Sequence, residues 1–165
     1  KILKQASMNK GSMYHFFKSK KELGLAVINE KVNFYIEDKY SVLLKYEENI
    51  CEELLKLIKN RNNFDFTCGC KLNNLMQELS PIDEDFKVAL EKVYLRFENI
   101  IEEVLIKAVK KSEIKHNDTK ALSMYVVASI EGCLGTAKKS QDGDIFQTCI
   151  SQLELFINSL KIVVA

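Results

Sequence analysis

The sequence holds little that would break a helix: one proline and six glycines in 165 residues. Proline removes a backbone donor and glycine adds chain entropy, so their scarcity favours long helices over a turn-rich β fold. No apolar run approaches the roughly 18 residues that a membrane span needs, and no secretory signal pattern is present. The first residue is Lys1 rather than Met, which predicts that the natural chain extends further upstream. Catalytic signatures are missing as well: no G-x-S-x-G, no H-E-x-x-H, no phosphate-cradling Gly-rich loop and no dinucleotide fingerprint. An enzymatic activity, a cofactor and a metal are therefore not expected. Five cysteines (Cys51, Cys68, Cys70, Cys133 and Cys149) make an odd number at irregular spacing, which is not a disulfide framework. Reduced thiols in a cytoplasmic protein are the expectation.

Hydrophobic residues supply 47% of the chain. That is enough for a core, and the length fits one domain with at most a small appendage. The net charge of +1 hides an uneven distribution. Residues 1–45 hold nine Lys against four acids, a balance of +5, while the other 15 Lys and Arg face 19 acids, a balance of −4. Residues 1–21 contain six Lys and no acid. A basic end on a mildly acidic body suits contact with a polyanion; a solvated lysine face is the alternative, and charge alone leaves both open.

Periodicity predicts an all-α chain. Residues 2–6 read as the end of a short helix, Ser7-Met8-Asn9 as a tight turn and Lys10–Phe17 as a second short helix. Ser19-Lys20-Lys21-Glu22 fits a capping box, with the Ser19 hydroxyl and the Glu22 carboxylate each accepting from the other's amide. A long helix should run from there to about residue 45. Further helices are expected over Ile50–Ile58 and Leu72–Leu79. Ser80-Pro81 suits an N-cap and first helical position, with Asp83, Glu84 and Asp85 at the favourable end of the helix dipole. The stripe Phe86, Leu90, Val93, Tyr94, Phe97, Ile100, Ile101, Val104, Leu105, Ala108 and Val109 predicts one long amphipathic helix. Asn117-Asp118-Thr119 opens the next, to about Ser140, and the last runs from Asp144 to Val163.

These last two helices are apolar over more than the roughly 100° that one covered side requires. The excess predicts burial against a second copy of the chain, with two helices from each protomer; a crowded monomer core is the alternative. Ala128, Gly132 and Gly135 are spaced to admit a close helix, and Ile150, Leu153 and Ile157 are the expected contributors from the final helix.

The densest motif is Ala6-Ser7-Met8-Asn9-Lys10-Gly11-Ser12-Met13-Tyr14-His15-Phe16-Phe17-Lys18-Ser19-Lys20-Lys21-Glu22-Leu23. It resembles the helix-turn-helix signature of the TetR family, a turn and a KG-S/T-x-Y-x-x-F-like recognition helix followed by S/N-K-x-x-L. Gly69-Cys70-Lys71-Leu72-Asn73-Asn74-Leu75-Met76-Gln77-Glu78-Leu79 and Glu131-Gly132 also resemble segments of that family's effector domains. The resemblance implies a helix-turn-helix DNA-binding head with its connecting helix over residues 1–40. A larger helical ligand-binding and dimerisation domain then spans 41–165. The family's head has a further helix before Ile2 that this sequence does not contain. The implied contacts to double-stranded operator DNA are Lys10, Ser12, Tyr14 and Lys20. Gly11 would let the backbone approach DNA, and His15 is either a phosphate donor or a plain surface residue. Phe16, Phe17, Leu23 and Met13 read as core, Lys18 and Lys21 as solvated lysines.

By the same resemblance the middle helices surround an effector cavity, for which Met76, Tyr94, Phe97, Met124 and Tyr125 are the candidates, ordinary core packing being the alternative. Methionine and aromatic walls suit a hydrophobic or aromatic effector. A rival is a thiol- or metal-responsive switch at Cys68 and Cys70, and another is a helical interaction module that binds no DNA.

Overall fold

The computed structural model describes residues 2–7 and 9–162, leaving aside the side chains of Ile2 and Lys10; Met8, in the expected turn, lies outside them. After the single turn α1 (Ile2–Gln5), side-chain caps set where helices begin. Asn9 opens α2 (Lys10–Phe16), accepting from the Ser12 amide at 2.7 Å, and Ser19 opens α3 (Lys20–Ala26), accepting from the Glu22 amide at 3.0 Å. The Glu22 carboxylate reaches back one residue further than expected, taking the amide of Lys18 at 2.6 Å instead of that of Ser19. Without a break, α3 continues through a π-helical stretch (Val27–Val32) into α4 (Asn33–Tyr40) and ends in a 3-10 turn (Ser41–Lys45). The periodicity gave the length of this run but not its π segment, a feature that recurs at functional sites.

Next, α5 (Ile50–Lys59) starts at Asn49, whose left-handed backbone (φ 54°) leaves no side-chain cap. Glu113, distant in sequence, supplies it: its two carboxylate oxygens accept from the amides of Ile50 and Cys51 at 2.9 and 3.0 Å. A short α6 (Lys71–Leu79) follows. The long α7 (Glu84–Lys110) is capped by Asp83, which accepts from the Asp85 and Phe86 amides. Ser80 was the expected cap, but Ser80–Asp83 instead finish the turn that closes α6, with the Ser80, Ile82 and Asp83 amides bonded back to Met76 and Leu79. Asp118 and Asp142 cap α8 (Thr119–Lys138) and α9 (Gly143–Ser159). Among the described residues, β structure is limited to an isolated bridge between Ile114 and Lys161.

The core is organised around α7. Its inner stripe, from Ala89 and Leu90 through Phe97 to Leu105 and Ala108, is buried against α4, α5, α6 and α8, and α9 closes the far side on α8 and α5. Phe97 stacks on Tyr40 of α4 with ring centroids 4.2 Å apart, an arrangement that adds roughly 0.5–1.5 kcal/mol beyond area burial. No described helix is long and apolar enough to cross a membrane.

Three expectations fail here for reasons of packing. Phe16 is not core: it is 67% exposed, because α2 makes little contact with the body, while Phe17, Met13 and Leu23 are half-buried. Cys133 and Cys149 are not free thiols. The α8–α9 hairpin brings their Cα atoms to 5.5 Å, within the disulfide range, and the two are bonded. Lys21 is not a plain solvated lysine, since its ammonium bridges Asp83 and Asp85 at 2.8 and 2.6 Å. It ties α3 to the start of α7.

Candidate nucleic-acid interface and effector core

At the basic end, α2 stands on the surface, held by its Asn9 cap in front and by α3 behind. Gly11, Tyr14, His15 and Lys20 are exposed and Ser12 is half-buried; the side chain of Lys10 lies outside the described residues. A side chain at Gly11 would place its Cβ 3.3 Å from the capping oxygen of Asn9, so this glycine keeps the cap open as well as the outer surface bare. The His15 ring meets the Phe16 ring edge-on at 5.2 Å. Lys20 sits in the first turn of α3, where its charge adds to backbone amides that favour anions. Lys21, one residue on, is occupied by Asp83 and Asp85, whose hydrogen bonds raise its pKa.

The expected cavity residues separate. Phe97 is fully buried core. Met76 and Tyr94 are half-buried, and Met76 Sδ accepts from the Ser80 hydroxyl at 2.7 Å. Met124 and Tyr125, 48% and 52% exposed, turn to the outer surface of α8 and line no interior space. On that outer face Tyr125 meets Phe156 of α9 edge-on at 5.1 Å, next to Leu155, which is 63% exposed. Ala128, Gly132 and Gly135 continue the face, and a Cβ added at either glycine would meet nothing within 4 Å. Ile150, Leu153 and Ile157, expected on the same surface, are buried in the chain's own core. Their three- and four-residue spacing is the inner stripe of α9, and the outward positions fall to its neighbours.

What sequence reasoning missed is a polar centre inside the body. Glu131 of α8 is 6% exposed, and its Oε2 has no hydrogen-bond partner. The Cys70 thiol and the Asn73 carboxamide donate to the same carboxyl group, and burial raises its pKa. Asn73 is oriented for this, because its oxygen accepts from Gln77 at 3.0 Å. Tyr35, Tyr40 and Tyr94 all lie within electrostatic reach of Glu131; burial, before that charge, raises their pKa values, that of Tyr35 to about 12. Lys39 completes the group. Its ammonium donates to the Asn63 carbonyl at 2.5 Å, lies 3.7 Å from the centre of the Phe64 ring, and is pushed by burial down to about 8. A signal for this centre was present: Glu131 is the one acid in the apolar run of α8.

Cys68 and Cys70 sit in different surroundings. Cys68 is exposed, whereas Cys70 is buried and its thiol is pushed up to about 12, first by burial and then by Glu131. A thiol held in that form is a poor nucleophile and a poor metal ligand. Among the described residues no cluster of His, Cys, Asp and Glu could hold a metal ion.

Comparison with known proteins agrees with this architecture. Residues 48–152 match the family described as transcriptional regulator LmrA/YxaF-like, C-terminal domain. An uncharacterized HTH-type transcriptional regulator in the lacX 3' region of Lactococcus lactis subsp. lactis is 31% identical over 151 residues, 89% of this chain and 76% of that protein. The HTH-type transcriptional repressor NemR of Escherichia coli K12 is 28% identical over 95 residues, 55% of this chain and 48% of that one. Among solved structures, the reduced form of E. coli NemR superimposes with a TM-score of 0.83 at 22% identity, covering 99% of this chain and 85% of that one. The regulatory protein TetR from Rhodobacter sphaeroides gives 0.76 at 23%, covering 98% and 86%. At such identities the two structures speak to the fold; the family match and the Lactococcus relative carry the assignment. The chain belongs to the TetR family of helix-turn-helix transcriptional regulators.

Proposed function

We propose that this regulator is a cytoplasmic homodimeric repressor that holds a near-palindromic operator and releases it when a small, largely hydrophobic or aromatic effector binds its body. The observation that carries the reading is the placement of α2: a short, capped surface helix at the basic end, with Gly11, Tyr14 and His15 exposed along it. A helix presented in this way can lay its N-terminal residues against base edges and phosphates in the major groove. Two copies are needed to read two half-sites, and the outer face of α8 and α9, with Ala128, Gly132, Gly135, Tyr125 and Leu155, is the surface suited to joining them. The E. coli relative is named a repressor, which supports repression as the direction of control. Release follows if the effector binds the DNA-incompetent dimer more tightly than the competent one.

A gel shift of the protein on the DNA upstream of its own coding sequence tests this. Binding that weakens steeply with added salt, with two protomers per site, is the expected result. A protein that ignores the duplex at low salt would leave the helical interaction module as the better description.

A further inference from the structure

We infer that Glu131 is the polar anchor of the effector site, and that the effector carries an N–H or O–H donor which the free Oε2 of that carboxyl receives. This rests on the ligand-responsive reading above and adds the chemistry of the ligand. A buried acceptor without a donor is costly, so native proteins rarely keep one unless something else supplies the partner. Here the acceptor is 6% exposed, its Oε2 is the described buried side-chain atom left unpartnered, and α4, α6, α7 and α8 all bring polar groups to it. Donors from Cys70 and Asn73 already serve the carboxyl group. Its remaining capacity is therefore specific to an incoming donor.

The surroundings limit the rest of the molecule. Tyr35, Tyr40 and Tyr94 provide aromatic walls, which favour a flat, mostly apolar ligand. Tyr35 is also shared by two surface cavities of about 390 and 400 Å³, one reaching Lys71, Asn74 and Leu75, the other Lys39, Val42 and Leu57. Neither is lined by Glu131, so the ligand reaches the carboxyl past Tyr35, and the closed surroundings of Glu131 favour a compact single-ring molecule. Lys39 and Lys71 stand on the Tyr35 ring, with ammonium groups 5.5 and 5.0 Å from its centre, so a ligand with its own full positive charge is disfavoured at this entrance. A neutral phenol, aromatic alcohol or aniline fits better than a protonated benzylic or alkyl amine.

The test uses matched single-ring probes on the full chain: phenol and benzyl alcohol, which donate, toluene, which does neither, and acetophenone, which only accepts. Binding is read by calorimetry and by the shift in melting temperature. Wild-type protein is expected to bind the two donors at least about tenfold more tightly than toluene or acetophenone, the worth of one hydrogen bond to a charged group. Glu131→Leu should remove that preference. Glu131→Gln guards against a variant that fails to fold. With Cys70 and Asn73 holding its oxygen, its amide becomes a donor, so the preference should turn towards acetophenone. Equal binding of all four probes, no binding of any, or a donor preference that survives in Glu131→Leu would overturn the inference. Operator release, measured alongside, separates it from the broader reading. Glu131-dependent binding with no effect on DNA would sink release while leaving the anchor. Release by toluene, unchanged in the variants, would do the reverse.

Discussion

Two adjacent lysines make the sharpest test of the DNA-binding end. Lys20 is exposed at the start of α3, whereas Lys21 is held between Asp83 and Asp85. At physiological salt, charge beyond about 8 Å is screened, so Lys21 brings no net positive charge to a phosphate while its two acids remain beside it. If Lys10 and Lys20 of each protomer each neutralise one phosphate, a dimer neutralises four, and the logarithm of affinity should fall against the logarithm of salt with a slope of about −3.6. Between about 50 and about 200 mM salt that is a loss of about 150-fold. Lys20→Ala should halve the slope to about −1.8, a loss of about 12-fold over the same range. Lys21→Ala should leave the slope alone and act instead on how firmly α3 sits against α7. Fluorescence anisotropy on a labelled operator fragment across a salt series measures both variants. Equal flattening by the two substitutions, or flattening by Lys21→Ala alone, would refute the assignment.

Other consequences can be checked on the isolated protein. The folded pKa of Lys39 lies near 8 against an ordinary 10.5, so between those values the unfolded chain binds more protons. The contribution of Lys39 should therefore rise as pH climbs from about 8 to about 10.5, while Cys70 and Tyr35, held above their ordinary values, work the other way from about pH 9 upward. In urea melts the stability of the wild type relative to Lys39→Met should grow across that window. Glu113→Ala removes both carboxylate bonds to the start of α5; a cost of about 2 kcal/mol, or a melting temperature lower by roughly 5 °C, is expected, and a change under about 0.5 kcal/mol would show that water replaces the cap. Gly132→Ala and Gly135→Ala give opposite signs on the two readings of the outer face. On a free helix each gains roughly 1 kcal/mol in helix propensity. Against a close partner helix they should instead weaken the dimer in sedimentation experiments.

Local codes were legible in the sequence, and orientation was not. The stripe from Leu90 to Ala108 defined α7 because a helix repeats every 3.6 residues whatever surrounds it. The Ser19 and Asp118 caps were equally local. By contrast, Ser80-Pro81 carried a sound start signal but lost to Asp83, whose carboxylate holds two amides. Ile150, Leu153 and Ile157 were recognised as apolar, yet their side of α9 depends on where α5 and α8 lie. Met124 and Tyr125 failed for the same reason on α8. Lys21 finds its partners more than sixty positions away, and the Cys133–Cys149 pairing depends on the turn between two helices. Glu131 is the instructive case. A lone acid in an apolar helix was visible, and its meaning emerged only when Cys70, Asn73 and three tyrosines were placed around it.

The run from Lys20 to Tyr40 joins the two halves of the proposed mechanism. Its 21 residues span about 30 Å at the helical rise. One end carries Lys20 and supports α2; the other places Tyr35, Lys39 and Tyr40 beside Glu131. Between them lies the π segment, anchored by the buried Ile28 and Val32, and near the head end Lys21 fastens the run to α7. On the proposed reading, a donor arriving at Glu131 would act on the Tyr35 end. A tilt of about 5° there moves the opposite end, some 20 Å away along the helix, by roughly 2 Å. That displacement is large against the 2.7–3.2 Å length of a hydrogen bond to DNA, and because Tyr40 stacks on Phe97, α4 and the buried stripe of α7 must shift together. In the proposed dimer such a lever would let a small rearrangement at a polar centre spoil two half-site contacts at once, because the symmetric partner would make the same movement.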